Sequence, residues 1–175
     1  MPPVTILLVP DPRLKQVAVP VTSDTAGIHS LAQNLLDTMK AYPGCVGIAA
    51  PQIGELKRVI VVDVSGHKNA GDHHGLLILL NPKIVERKGE QIGREGCLSI
   101  PDYAARIRRA AFVQVEAYDL NFSVLRIDAS GFEAVVLQHE IDHLNGILFL
   151  DRVASVKSDL FPRKKYLPQP ERPKE

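Results

Sequence analysis

The sequence predicts a single strand-rich domain with few helices, and three observations carry that expectation. Its 175 residues correspond to about one domain. Short β-branched or alternating apolar segments recur along the chain, whereas only two stretches carry a helical apolar stripe. The chain is also long enough to close a core without disulfides or a structural metal, so any metal it binds is free to be catalytic.

Residues 1–22 read as extended and proline-punctuated, with a turn at Asp11-Pro12-Arg13. Ser23, Asp24 and Thr25 offer caps for a first helix. In it Ile28, Leu31, Ala32, Leu35, Leu36 and Met39 form one apolar stripe, and Pro43-Gly44 ends it. Residues 44–54 are small, apolar and broken by glycine and proline, the composition of backbone that something approaches closely. Residues 58–64 are a continuous β-branched run and read as a strand, followed by a polar loop over 65–75. Residues 76–80, 83–87 and 112–118 are further strands, the last alternating around Val113, Val115 and Ala117. A turn over 119–123 leads into a strand at 124–127. Ser130 and Glu133 form a capping box that opens the second helix, which runs to about Leu144 and stops at Asn145-Gly146. Residues 147–150 return to extended core chain. From Pro162 onward four prolines stand among mixed charges, so the domain is expected to span 1–161, with 162–175 a mobile proline-rich tail.

Charge and hydropathy remove several function classes. Twenty-one Lys and Arg against 20 Asp and Glu leave a net charge of +1, without the basic footprint of a dedicated nucleic-acid or membrane-surface binder. The longest apolar run, residues 76–80, is far shorter than the roughly 18 residues of a membrane span. The N-terminal run Ile6-Leu7-Leu8-Val9 has no basic leader and is too short for a secretory signal, so the chain is expected to stay in the cytoplasm. Cys45 and Cys97 are then thiols or ligands rather than a disulfide framework.

The second helix carries His139-Glu140-Ile141-Asp142-His143. Four residues advance a helix by about 400°, which puts both imidazoles on one face, near enough to share a metal ion, with Glu140 beside that face. Phe132, Val135, Val136, His139 and His143 share the core-facing stripe, where unpartnered imidazoles would be costly. A catalytic site wants a third protein ligand and an open position. No histidine follows His143, so the third ligand comes from upstream: Cys45, Cys97, His29, His67, His73 or His74. Cys97 is the sharpest of these, with Gly96 beside it to allow close approach. His67, His73 and His74 lie in the polar loop, and His29 lies in the first helix.

Three segments together resemble one family, the peptide deformylases. Cys45-Val46-Gly47-Ile48-Ala49-Ala50-Pro51-Gln52 matches its glycine-apolar-glycine-apolar-Ala-Ala-x-Gln motif except at the first glycine. Glu95-Gly96-Cys97-Leu98-Ser99 and the segment from Gln138 to Gly146 match the second and third motifs in full, and similarity runs from Asp11 to Asp151. The resemblance implies an α+β fold in which antiparallel or mixed sheets surround a metal-bearing central helix. It implies Cys97, His139 and His143 as ligands of one divalent metal, usually Fe(II) in cells and often Zn(II) or Ni(II) in purified protein. A thiolate with two imidazoles suits these ions and not Mg(II) or Ca(II).

The implied reaction hydrolyses the formyl amide of N-formylmethionyl peptides, on nascent chains near the ribosome, and releases formate. Glu140 is the implied general base, with the Gln52 amide and the Leu98 backbone N–H as donors to the developing oxyanion. Val46, Gly47, Phe132, Val135, Val136 and His139 are implied to line the methionine pocket, with the Gly47 segment pairing the peptide as an added strand. Arg109, partnered by Glu95, is implied to hold the Cys97 segment.

Cys45 is the departure. If the family glycine serves a positive φ or a close approach, a side chain there costs roughly 1–2 kcal/mol of strain or narrows the site. Convergence of the motifs would also bring Cys45 near Cys97, where oxidation would link them. The alternative this raises is a deformylase-like protein with altered substrate range or little activity.

Overall fold

The computed structural model describes residues 3–163. Five antiparallel strands form the larger sheet: β1 (Gly47–Ala49), β2 (Val59–Val62), β3 (Leu77–Lys88), β6 (Phe112–Tyr118) and β7 (Val124–Ser130), in the order β1-β2-β3-β6-β7. A smaller antiparallel sheet orders β4 (Gln91–Cys97), β5 (Ile100–Arg109) and β8 (Leu160–Pro162). The two long helices are α1 (Ile28–Ala41) and α2 (Gly131–Leu144).

The unbroken apolar run of β2 is explained by burial on both faces. Val59 and Val61 join the core under α1 with Leu31, Leu35 and Met39. Ile60 and Val62 join the core under α2 with Leu137, Ile141 and Leu144. A third cluster of Leu14, Cys97, Ile100, Ile107, Leu148 and Phe149 closes the smaller sheet. Almost every α2 residue from Glu133 to Leu144 is buried, which makes α2 the central helix expected above. Among the described residues no helix is long and apolar enough to cross a membrane.

Several local expectations are corrected. The N-cap of α1 is Gly27, in the left-handed region at φ 75°, and Ser23 to Thr25 lie upstream of it. Ser130 occupies the N-cap of α2 without a side-chain bond, and the Glu133 carboxylate that would close the capping box is drawn to the 65–75 loop: it accepts from His74 N at 2.7 Å and meets His74 Nδ1 at 2.5 Å. Residues 77–80 and 83–87 belong to one strand, β3, with Leu76 just before it, and the register shifts between Leu80 and Lys83. Asn81 sits at that irregularity with φ 49°, and its amide bonds both backbone groups of Val21. Residues expected to be extended near 149 make a 3-10 turn, Phe149–Arg152.

Strands β4 and β5 form a hairpin that the sequence reading omitted, and the boundary at 161 falls short. Pro162 pairs with Tyr103 in β8, and Arg163 N donates to Asp102 O at 2.9 Å. The rest of the expected tail, residues 164–175, lies outside the described residues.

Candidate active site

Three elements converge on the site. β4 ends at Cys97, the first motif runs through β1 into a 3-10 turn, Ala50–Ile53, and α2 crosses beneath both. The sulfur of Cys97 and ring nitrogens of His139 and His143 all lie within 4.8 Å of one another, and all three residues are buried. His29, His67, His73 and His74 are not in this cluster, and neither is Cys45.

The chemistry of this donor set fits a divalent cation. His139 Nδ1 is 2.8 Å from Glu95 Oε1, which fixes the ring and leaves Nε2 for the cluster. His143 Nε2 lies 3.4 Å from the Cys97 sulfur. Burial, together with the positive charges of His139 and Arg109, holds the His143 pKa well below its ordinary value, the neutral state a ligand needs. Burial opposes a charge on His139 as well, but hydrogen bonds to Cys97 and Glu95 overcome it and lift its pKa. Surroundings that draw a proton to that nitrogen favour a cation there equally.

A buried charged network backs the cluster. Arg109 grips Glu95 through two bonds of 2.8 Å, Nε to Oε2 and Nη2 to Oε1, and also donates Nη1 to Asp142 Oδ2 at 2.6 Å. Arg152 completes Asp142 with bonds of 2.5 and 2.8 Å. Burial would raise the pKa of Glu95, but the bonds from Arg109 and His139 win and hold it at about 2. The sequence-level pair Glu95 and Arg109 is therefore present, and it reaches further than expected, since Glu95 orients His139 directly. Gln138 braces the same corner: its amide accepts from Ala110 N and donates to Ala110 O, next to Arg109.

Glu140 is buried, and its Oε2 has no hydrogen-bond partner among the described residues. Burial, reinforced by the charges of Glu95 and Asp142 and opposed by His139 and Arg109, pushes its carboxyl up to about 7. A cation held by Cys97, His139 and His143 would draw that value back down. Gln52 is held by Ala49 N, which donates to Oε1 at 2.9 Å. Its Nε2 then faces the Cys97 sulfur at 3.5 Å and Ser99 Oγ at 3.2 Å.

A cleft of about 490 Å³ opens over the cluster, lined by Cys97, His139, Glu140, Gln52 and Leu98. Val46, Gly47, Phe132, Val135 and Val136 line it too, so every residue assigned to the substrate pocket from sequence is gathered here. His143 and Arg109 stand behind the cleft wall. Sequence reasoning missed Ser99, Asp142 and Arg152, of which Asp142 lies inside the His-Glu-x-x-His string and was legible as a polar residue on a buried helix. It also missed His67 as a wall residue: the ring stacks on Phe132 at 4.3 Å between centroids.

Cys45 lines the same cleft, and its thiol donates to Gly47 O at 3.2 Å. Among the described residues only Asn81 and Phe122 combine a side chain with positive φ, so the expected backbone strain at Cys45 is absent. Both cysteines are free thiols. With Cys97, His139 and His143 clustered and Glu140 and Gln52 at the same cleft, the reading of a weakened or altered enzyme is not favoured.

Residues 3–159 match the family model for polypeptide deformylase. The chain is 43% identical over 159 residues to peptide deformylase 2 of Vibrio cholerae, covering 91% of each chain. It superimposes on a peptide deformylase from Legionella pneumophila with a TM-score of 0.80 and 39% identity, over 89% of this chain and 88% of that one. A Met-Ala-Ser-bound class I type b peptide deformylase from Acinetobacter baumannii gives a TM-score of 0.80 at 34% identity, over 86% and 98%. With residues of its three motifs gathered at one cleft, the chain belongs to the peptide deformylase family.

Proposed function

We propose that this protein hydrolyses the formyl amide of N-formylmethionyl peptides, releasing formate from nascent proteins. The observation that carries this reading is the juxtaposition, in one cleft, of the Cys97, His139 and His143 cluster, the unpartnered Glu140 oxygen and an apolar wall. Cys97, His139 and His143 would hold one divalent metal, and the soft sulfur with two imidazoles supports Fe(II), with Zn(II) or Ni(II) as replacements. When bound, that ion supplies Lewis-acid polarisation of the formyl oxygen and makes water nucleophilic near neutral pH.

The chain's own residues do the rest. Glu140 accepts the proton of the attacking water on a carboxylate oxygen and returns it to the leaving amine. Gln52 Nε2, locked by Ala49 N, and the Leu98 N–H donate to the oxyanion. Val46, Phe132, Val135 and Val136 enclose an unbranched apolar side chain. β1 is the terminal strand of its sheet among the described residues, so a peptide is read as an added strand beside Gly47. The Acinetobacter baumannii relative, whose structure holds Met-Ala-Ser, supports a peptide as the ligand. Main-chain pairing tolerates many sequences after methionine, as work on nascent chains near the ribosome in the cytoplasm requires. Residues up to Arg163 make up the catalytic unit, and residues 164–175 are not needed for formate release.

The test is formate release from formyl-Met-Ala-Ser by protein prepared anaerobically with Fe(II) or Ni(II). Rapid release is expected. Cleavage of a peptide bond instead, or no formate from metal-loaded protein, would overturn the reading.

A further inference from the structure

Arg163 lies just past the segment that composition assigns to the catalytic domain, yet the fold places it at the cleft. Its backbone is fixed by β8, where Phe161 pairs with Ala104, and by the bond from Arg163 N to Asp102 O. Phe161 in turn meets the guanidinium groups of Arg94 and Arg106, at 5.9 and 6.0 Å from its ring centre. The Arg163 guanidinium lies over Gly96: a Cβ built there would meet Nη1 at 3.3 Å and Cζ at 3.4 Å. The absence of a side chain at Gly96 thus makes the seat for this arginine, beside the Cys97 ligand.

The group is not consumed by the protein. Arg163 Nη1 is buried and has no hydrogen-bond partner among the described residues. The acids lining the cleft are Glu95, which is taken up by Arg109 and His139, and Glu140, whose Oε2 has no partner either. A buried charged donor left without an acceptor is costly, and an oxygen brought by a ligand removes that cost. Lys68 and Arg94 line the same cleft, adding positive charge. The apolar wall of Phe132, Val135 and Val136 comes from α2, whereas Arg163 lines the cleft beside Gly96.

We infer that Arg163 is a substrate-binding residue, donating Nη1 to an acceptor oxygen of the peptide residues that follow formylmethionine. The inference rests on the proposed deformylase reading and adds to it a determinant for the downstream part of the peptide. The acceptor is either a main-chain carbonyl or a carboxylate, and both satisfy the same donor.

The experiment compares metal-loaded full-length wild type, Arg163→Ala and Arg163→Lys on three substrates: formyl-Met amide, formyl-Met-Ala-Ser amide and formyl-Met-Ala-Ser with a free carboxylate. For Arg163→Ala, KM for the tripeptides should rise roughly ten- to a hundredfold, as expected for a lost hydrogen bond to a charged group, with kcat and metal content held. Formyl-Met amide, which has no residue beyond methionine, should be turned over as before, and Arg163→Lys should recover part of the loss. A loss on both tripeptides identifies a carbonyl, and a loss confined to the free acid identifies a carboxylate. Unchanged KM on all tripeptides, or an equal loss on formyl-Met amide, would overturn the inference by leaving Arg163 only a structural role. Absence of formate release by the wild type on any substrate would instead overturn the underlying reading, and this inference with it.

Discussion

Gly47 is the space that Glu140 occupies. A Cβ built on Gly47 would stand 2.7 Å from Glu140 Oε1, 2.9 Å from Glu140 Cγ and 2.9 Å from Val136 Cγ1. All of these groups belong to a packed helix whose side chains have little room to yield.

Gly47→Ala therefore should move the base rather than unfold the protein. A displacement of this size is expected to lower kcat on the order of 10²-fold, with metal content unchanged. Steady-state formate release with parallel metal analysis checks it, and an unaltered kcat would show that Glu140 has freedom the packing denies.

The buried network around Arg109 should carry stability. Arg109→Leu leaves Glu95 and Asp142 as buried carboxylates short of their shared cation, at a cost of about 3–5 kcal/mol. The thermal midpoint should drop on the order of 10 °C. Arg126→Leu removes an exposed pair with Glu116 and should cost less than about 1 kcal/mol. Equal shifts for the two variants would contradict this division.

How far this network was legible in sequence is instructive. The pairing of Glu95 with Arg109 came from motif resemblance, but its extension through Asp142 to Arg152 depends on α2 lying behind β4, which no local pattern reveals. The pairing of His139 with His143 was readable because one helix holds both at a fixed angular spacing. The β4–β5 hairpin was hidden because Arg94, Arg106 and Arg108 interrupt its apolar pattern, Gly93, Gly96 and Pro101 resemble breakers, and exposed Ile92 and Tyr103 blur the alternation. Arg163 was hidden for another reason. β8 is held by main-chain bonds to β5 and by the contacts of Phe161 with two arginines, so its short, Pro-ended sequence carries no periodic signal.

Cys45 should behave as an inert thiol. Burial, then the neighbouring charge of Glu140, pushes its pKa up to about 12 from an ordinary 9.0. The folded protein keeps this proton where the unfolded chain has lost it, so stability contributed by Cys45 is present below pH 9 and is lost as pH rises from 9 towards 12. Cys45→Ala should flatten that alkaline decline in denaturant melts. At pH 7 the thiol should react slowly with iodoacetamide, and Cys45→Gly should not protect against peroxide, since thiolate is the reactive form. Rapid labelling of Cys45 at neutral pH would contradict its assigned environment, and would restore the oxidation link to Cys97 that the sequence alone suggested.

The roles of the cluster and of Glu140 meet in one measurement: formate release from formyl-Met-Ala-Ser by Glu140→Ala, compared with wild type at equal metal content. Glu140 is not among the clustered donors, so the variant should fold and keep its metal. Loss of proton transfer should lower kcat by about 10²- to 10⁴-fold. Near-normal turnover by metal-loaded Glu140→Ala would contradict the assignment of Glu140 as the base.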